Sequence, residues 1–170
     1  MKKSLILLVM LCCVVIANAA DDKSKPDFSG NWTLDKSKSD LGQFARGNLA
    51  NASMTMSISY KEPELKMIRH IDANGQDIAQ NYTYYTDGRG ETNPGLFNSS
   101  QVKSKTKWEG TKLVSRSSAT VTMRTGENIY IDTTEKRELS ADGNTMTITV
   151  MVNTPQRPQT FKLVFTRATS

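Results

Sequence analysis

The sequence predicts an all-β fold, an up-and-down antiparallel meander of about 8–9 strands closed into a barrel, with one short helix or lid after the first strand. Short segments in which apolar and polar residues alternate fill most of the chain, and a period of two residues is that of a half-buried strand. Turns rich in Gly, Asn and Asp separate these segments, as in hairpins. Closing such a meander into a barrel removes its exposed edges.

Residues 1–20 are predicted to be a cleaved signal peptide. Two lysines precede an apolar run from Leu5 to Ile16, and Ala17-Asn18-Ala19 supplies the small residues that signal peptidase accepts. The run is shorter than the roughly 20 residues of a membrane-spanning helix. Large apolar residues stand directly before Cys12, which disfavours lipid attachment there. We therefore expect a periplasmic or secreted protein.

Residues 21–26 are predicted to be a disordered tail and residues 27–168 a single barrel domain. The net formal charge of the 170-residue chain is +5, and without Lys2 and Lys3 of the leader it is 20 minus 17, or +3. This surplus is too small to indicate a nucleic-acid surface. Both cysteines lie in the leader, and His70 is the one histidine. This composition excludes thiol chemistry, a disulfide in the mature chain and most zinc sites. We expect no metal and no cofactor.

The predicted strands follow one another along the chain with tight connections. Met54, Met56, Ile58 and Tyr60 alternate with polar residues, and the sequence 72–75 tolerates the positive φ of a hairpin turn. By the same reasoning, strands are expected at residues 28–34, 54–60, 65–71, 78–86, 102–108, 113–123, 127–139, 146–152 and 160–167.

Two connections are longer than the others. Residues 36–52 contain Leu41, Phe44 and Leu49, whose spacing fits a short helix or lid, but two glycines make a long loop equally consistent. Residues 86–98 are rich in Gly and also contain Pro94, and they predict a mobile loop.

A signature at the two ends of the domain carries a resemblance to a known family. Gly30 and Trp32 begin the first strand, and Arg167 ends the last. This pattern resembles the signature of the calycins, the group of lipocalins and fatty-acid-binding proteins. The resemblance implies that the glycine permits a tight bend, that the indole plugs the closed end of the barrel, and that the arginine packs on the indole face.

Four longer runs extend the resemblance from Asp27 to Arg167. They are similar to a group of exported bacterial lipocalin-like proteins of unassigned function, and they occupy residues 27–40, 84–88, 107–114 and 139–146. The resemblance implies a lipocalin-like barrel and says little about chemistry.

Four aromatic residues are candidates to line a ligand cavity. An aromatic ring offers apolar surface together with a hydrogen-bonding edge. The candidates are Tyr60, Tyr82, Tyr84 and Trp108. Ordinary core packing is the alternative interpretation.

Charged residues on apolar strand faces are a second candidate feature. Arg69 shares a face with Leu65 and Met67, and Arg137 shares one with Ile131 and Glu135. Because an unpaired buried charge is costly, an interior network is expected if these faces point inward. The resemblance implies that interior arginine and tyrosine receive a ligand carboxylate. The alternative is a strand end or bulge that turns the charges to solvent.

The function predicted from the sequence is an exported, non-catalytic protein that holds a small hydrophobic or amphipathic ligand inside the barrel. Nucleic acid and stable membrane insertion are not expected. The alternative is a structural, envelope or adhesive interaction module with a filled barrel core, and the interior volume separates these two functions. An enzyme is disfavoured, because His70 has no Gly-x-Ser-x-Gly partner motif.

Overall fold

The computed structural model describes residues 25–42, 51–95, 101–122 and 125–168. The predicted signal peptide lies outside these residues. Alternating apolar and polar side chains place the described chain in ten β-strands. They are β1 (Gly30–Leu34), β2 (Ser53–Lys61), β3 (Glu64–Ala73), β4 (Gln76–Tyr85), β5 (Glu91–Pro94), β6 (Gln101–Glu109), β7 (Lys112–Thr122), β8 (Asn128–Leu139), β9 (Thr145–Asn153) and β10 (Pro158–Arg167).

The strands form one antiparallel sheet that curls into a nearly closed barrel. Its order is β4-β3-β2-β1-β10-β9-β8-β7-β6-β5, so every neighbouring pair is consecutive in sequence except β1 and β10. These two strands pair with Trp32 opposite Arg167. The predicted meander, with its first strand meeting its last, is confirmed.

Side chains connect the two strands that end this order. The side chain of Asn93 on β5 accepts a hydrogen bond from Thr83 N on β4 and donates one to Thr83 O, each 2.8 Å long. Glu91 accepts a further bond from Tyr85 N at 3.3 Å. The amide of Asn93 therefore replaces one rung of a backbone ladder between β4 and β5.

The strand count is one above the upper end of the prediction because of β5. The sequence predicts a loop over residues 86–98, yet residues 91–94 pair with β6 from Ser104 to Gln101. This short strand lacks apolar alternation, since its buried residues are Glu91 and Asn93. Polar side chains point inward here because they bond to neighbouring strands.

The connection after β1 begins with a short 3-10 turn, Lys36–Lys38. Asp35 caps it by accepting hydrogen bonds from Ser37 N and Lys38 N. Hydrogen bonds from the side chains of Ser37 and Lys38 lower the pKa of Asp35 to about 2. Of the apolar residues predicted to form a helix or lid, Leu41 packs against the core. Residues 43–50 lie outside the described part of the chain.

The hydrophobic core fills the end of the barrel at which the chain enters it, here called the closed end. Its largest fully buried apolar side chains are Trp32, Phe28, Phe165, Leu65, Leu113 and Met146. In the described part of the chain, no helix has both the length and the apolar character required to cross a membrane.

Candidate functional site

A cavity of about 290 Å³ occupies the barrel interior away from the closed end. Its wall includes Val121 at the end of β7, Ile131 near the start of β8, and Val152 near the end of β9. The cavity thus lies toward the turns that connect β7 with β8 and β9 with β10. The other described lining residues are Tyr82, Tyr84, Asn93, Pro94, Gly95, Val102, Ser104, Ser115, Ser117, Ala119, Thr133, Glu135, Thr154, Gln159 and Phe161.

The cavity exists because the inward face of β7 carries small side chains. Leu113 is fully buried at the closed end, but the next inward positions along β7 are Ser115, Ser117 and Ala119. Small side chains cannot reach the opposite wall of the barrel, so the space stays open. The cavity wall therefore combines apolar groups with hydroxyl groups.

At the base of the cavity, two tyrosines of its wall and two arginines beneath them form a layered group, here called the Arg–Tyr stack. The guanidinium of Arg69 lies 4.8 Å from the ring centre of Tyr82, and that of Arg137 lies 4.3 Å from the ring centre of Tyr84. The two tyrosine rings are stacked, with centroids 6.1 Å apart. Cation–π contact of this kind stabilises desolvated guanidinium groups.

Hydrogen bonds fix each arginine of the stack. Arg69 Nη2 donates to Gln80 Oε1 at 2.5 Å and to the hydroxyl of Tyr82. Arg137 Nη2 donates to Glu135 Oε2 at 2.5 Å, and Nη1 donates to Ser115 Oγ at 2.8 Å. Both arginine side chains are almost completely buried, so these partners replace much of the water that the charges lose on folding. The Nε of Arg137 has no hydrogen-bond partner among the described residues.

The network around Arg137 continues across three more strands. Ser115 Oγ lies 2.7 Å from Thr106 Oγ1, and Thr106 donates to Glu91 Oε1 at 2.7 Å. Ser104 donates to the same Glu91 oxygen. Two carboxylates therefore stand at the two ends of a buried hydrogen-bond chain that passes through Arg137.

Burial keeps the two cavity tyrosines in their neutral form. Desolvation raises the pKa of Tyr82 to about 12, although the nearby Arg69 favours the phenolate. Desolvation also raises the pKa of Tyr84, against the opposing effect of Arg137. Both side chains consequently keep their hydroxyl protons at neutral pH.

Tyr60 and Trp108 lie at the closed end and do not belong to the described cavity lining. Trp108 stacks on Phe28 with ring centroids 5.9 Å apart, and Tyr60 meets its edge at 6.2 Å. Glu62 accepts hydrogen bonds from both Tyr60 and Trp108 and pairs with Lys25 at 2.7 Å. These contacts seal the barrel where the chain enters it.

The signature residues predicted to be structural meet at the same end. Arg167 stands over the Trp32 ring at 4.3 Å and donates to the backbone oxygens of Ser29 and Gly143. Gly30 has φ +126°, and a Cβ there would lie 2.5 Å from Arg167 Nη1. Glycine is required both by this backbone conformation and by the approach of the guanidinium.

Of the six predicted ligand-binding residues, two line the cavity. Tyr82 and Tyr84 are on its wall, and Arg69 and Arg137 lie beneath them. The ligand-binding role of all six residues, including Tyr60 and Trp108, stays a prediction.

Sequence reasoning missed the hydroxyl-bearing part of the wall. Ser104 on β6 and Ser115 and Ser117 on the adjacent strand β7 occupy inward positions. A run of small residues at every second position of a barrel strand is the signal that predicts interior space. Asn93 and Glu91 carried no such signal, because β5 has no alternation of apolar and polar residues.

His70 is removed from the cavity, on the outer face of β3. Its Nδ1 lies 3.0 Å from Asp77 Oδ2, and both side chains are about half exposed. Among the residues that the structure describes, no cluster of three or more His, Cys, Asp or Glu side chains has an arrangement that could hold a metal ion.

Comparison with solved structures identifies the architecture. The REP1-NXSQ fatty acid transporter has a TM-score of 0.57 at 14% identity, covering 85% of this chain and 98% of that protein. A zebrafish ileal bile acid-binding protein complexed with cholic acid gives 0.56 at 12% identity, with coverages of 83% and 98%. A Schistosoma mansoni fatty acid binding protein in complex with arachidonic acid gives 0.52 at 14% identity, with coverages of 84% and 96%.

The chain therefore has the calycin-type β-barrel fold of the fatty-acid-binding proteins. No protein-family model matches the sequence, and no curated protein matches it. At these levels of identity the structural likeness concerns the fold.

Proposed function

We propose that this protein is an exported, non-catalytic binding protein that holds a small hydrophobic or amphipathic molecule inside its barrel. The observation that carries the proposal is the interior cavity of about 290 Å³. It has room for about ten waters at roughly 30 Å³ each, close to the lower end of the usual range for ligand pockets. A filled barrel, as the alternative interaction module requires, would leave no such space.

The composition of the wall and the structural neighbours support the same conclusion. Apolar side chains such as Val121, Ile131 and Phe161 cover part of the wall, while serines and tyrosines supply polar groups. The neighbouring structures are those of fatty acid and bile acid binders. Export is supported by the N-terminal sequence, in which lysines precede an apolar run and small residues follow it.

A cavity-filling variant tests the proposal. Ala119 lines the cavity from β7, whereas the next residue, Thr120, is exposed on the outer face of the same strand. Ala119→Phe should abolish binding of a fluorescent fatty acid, because the phenyl ring takes the ligand's place. The matched control, Thr120→Phe, should bind it as the wild type does.

Native mass spectrometry complements this titration by detecting a lipid or pigment that co-purifies from the native host. Saturable dye binding that is lost only in Ala119→Phe supports the proposal. If the wild-type protein carries no co-purified ligand and does not bind the dye, the results instead favour the interaction module.

A further inference from the structure

The cavity wall carries one charged side chain among its described residues, the carboxylate of Glu135. The side chain of Glu135 is 16% exposed, whereas that of its partner Arg137 is 2% exposed. A molecule that enters the cavity consequently meets the carboxylate before it can reach the guanidinium.

Both terminal nitrogens and the face of the Arg137 guanidinium are already in contact with protein groups, while its buried Nε has no hydrogen-bond partner in the described part of the chain. Its Nη2 is bonded to Glu135, its Nη1 is bonded to Ser115, and its face covers Tyr84. An anionic headgroup would have to displace the Glu135 carboxylate or lie beside it. Like charges held close together in a site of low polarity repel strongly.

The remaining polar groups on the wall are hydroxyls and amides. Ser104, Ser117 and Thr133 lie on the strands around Glu135, and the two tyrosines of the Arg–Tyr stack are neutral. The carboxylate of Glu135 retains lone pairs that can accept a hydrogen bond from a ligand. An uncharged hydroxyl satisfies them through a charge-assisted hydrogen bond without a second charge being desolvated.

We infer that the cavity selects an uncharged amphiphile whose polar end is a hydroxyl group, in preference to a fatty-acid anion. This inference rests on the proposed function, since it names the ligand class of the same cavity. Glu135 is the specificity-determining residue, and it acts in two ways: it accepts a hydrogen bond from the hydroxyl group, and it occupies Arg137.

Two probes of equal chain length test the inference. Displacement of a cavity-bound fluorescent dye by 1-dodecanol and by dodecanoate is measured at neutral pH. We expect dodecanol to bind at least about tenfold more tightly, a difference of about 1.4 kcal/mol. Dodecanoate that binds as tightly as dodecanol, or more tightly, overturns the inference and leaves the proposed function intact.

Substitution of the carboxylate identifies the cause of the preference. Glu135→Gln keeps the side-chain size but removes the charge and releases Arg137, so dodecanoate should gain at least about tenfold relative to dodecanol. Glu138→Gln is the matched control, because Glu138 lies on the same strand as Glu135 but pairs with Lys112 outside the barrel. Its ratio of dodecanol to dodecanoate affinity should equal that of the wild type. An unchanged ratio in a folded Glu135→Gln variant overturns the role of Glu135.

Two further outcomes remain decisive. If Glu135→Gln does not fold, as judged by circular dichroism, the wild-type ratio decides the headgroup preference by itself. If neither probe displaces the dye and Ala119→Phe binds it normally, the proposed function fails, and the inference falls with it.

Discussion

Replacing Gly30 by alanine tests how the first and last strands hold the barrel closed. Holding alanine at φ +126° costs about 1–3 kcal/mol. The new Cβ would lie 2.5 Å from Arg167 Nη1, so the guanidinium must leave the Trp32 ring. Loss of that cation–π contact costs about 1–2 kcal/mol.

The two effects together predict that Gly30→Ala lowers the free energy of unfolding by about 2–5 kcal/mol. For a chain of this size, the melting temperature should fall by about 5–20 °C. Urea unfolding followed by tryptophan fluorescence and thermal unfolding followed by circular dichroism measure both quantities.

A double-mutant cycle with Arg167→Ala separates steric conflict from backbone strain. With the guanidinium removed, Gly30→Ala should cost about 1–2 kcal/mol less than it does in the wild type. Gly75→Ala is the control for strain alone, because Gly75 has φ +79° and nothing within 4 Å of a Cβ. Effects of Gly30→Ala and Arg167→Ala that add to within about 0.5 kcal/mol would refute this account of the contact.

Two other predictions concern the β4–β5 junction and the cavity tyrosines. Asn93→Ala should remove both hydrogen bonds to Thr83, lower the free energy of unfolding by about 1–3 kcal/mol and accelerate hydrogen exchange of the Thr83 amide. The control is Asn81→Ala, on the exposed face of β4. A Thr83 amide that is as protected in Asn93→Ala as in the wild type contradicts the prediction. Because burial raises the pKa of Tyr82 to about 12 and raises that of Tyr84, stability should be lost as the pH rises from about 10 to about 12, where the unfolded chain releases these protons first. Ultraviolet titration of the native protein should then show that Tyr82 and Tyr84 ionise well above pH 10, and their ionisation near pH 10, the ordinary value of a tyrosine, would be the contrary result.

Most of the barrel was predictable because strand periodicity is local. Met56 and Ile58 identify the inward face of β2 within a few residues, and Ile148 and Val150 do the same for β9. Strand β5 was missed for the opposite reason. Its inward Glu91 and Asn93 are compatible with the interior only because Tyr85, Thr83 and Ser104 supply hydrogen-bond partners.

The candidate site was predictable in part. Alternation placed Glu135 and Arg137 on one strand face, and aromatic character singled out Tyr82 and Tyr84. Alternation cannot tell at which height in the barrel an inward residue lies, however. Tyr60 and Trp108 therefore looked equivalent to the cavity tyrosines, although they pack around Phe28 and Glu62 at the closed end.

The sequence by itself determined the β-meander and the inward face of most strands, since these depend on residue spacing, and its resemblance to the calycins implied the contact of Trp32 with Arg167. Only the tertiary structure decided that a cavity remains and that Glu135, not Arg137, is exposed to it. The reason is that β4 and β8 are separated by three strands in the chain, and curling of the sheet brings Tyr84 over Arg137. Contacts across the barrel, which no local pattern records, determine which charge is covered and which faces the cavity.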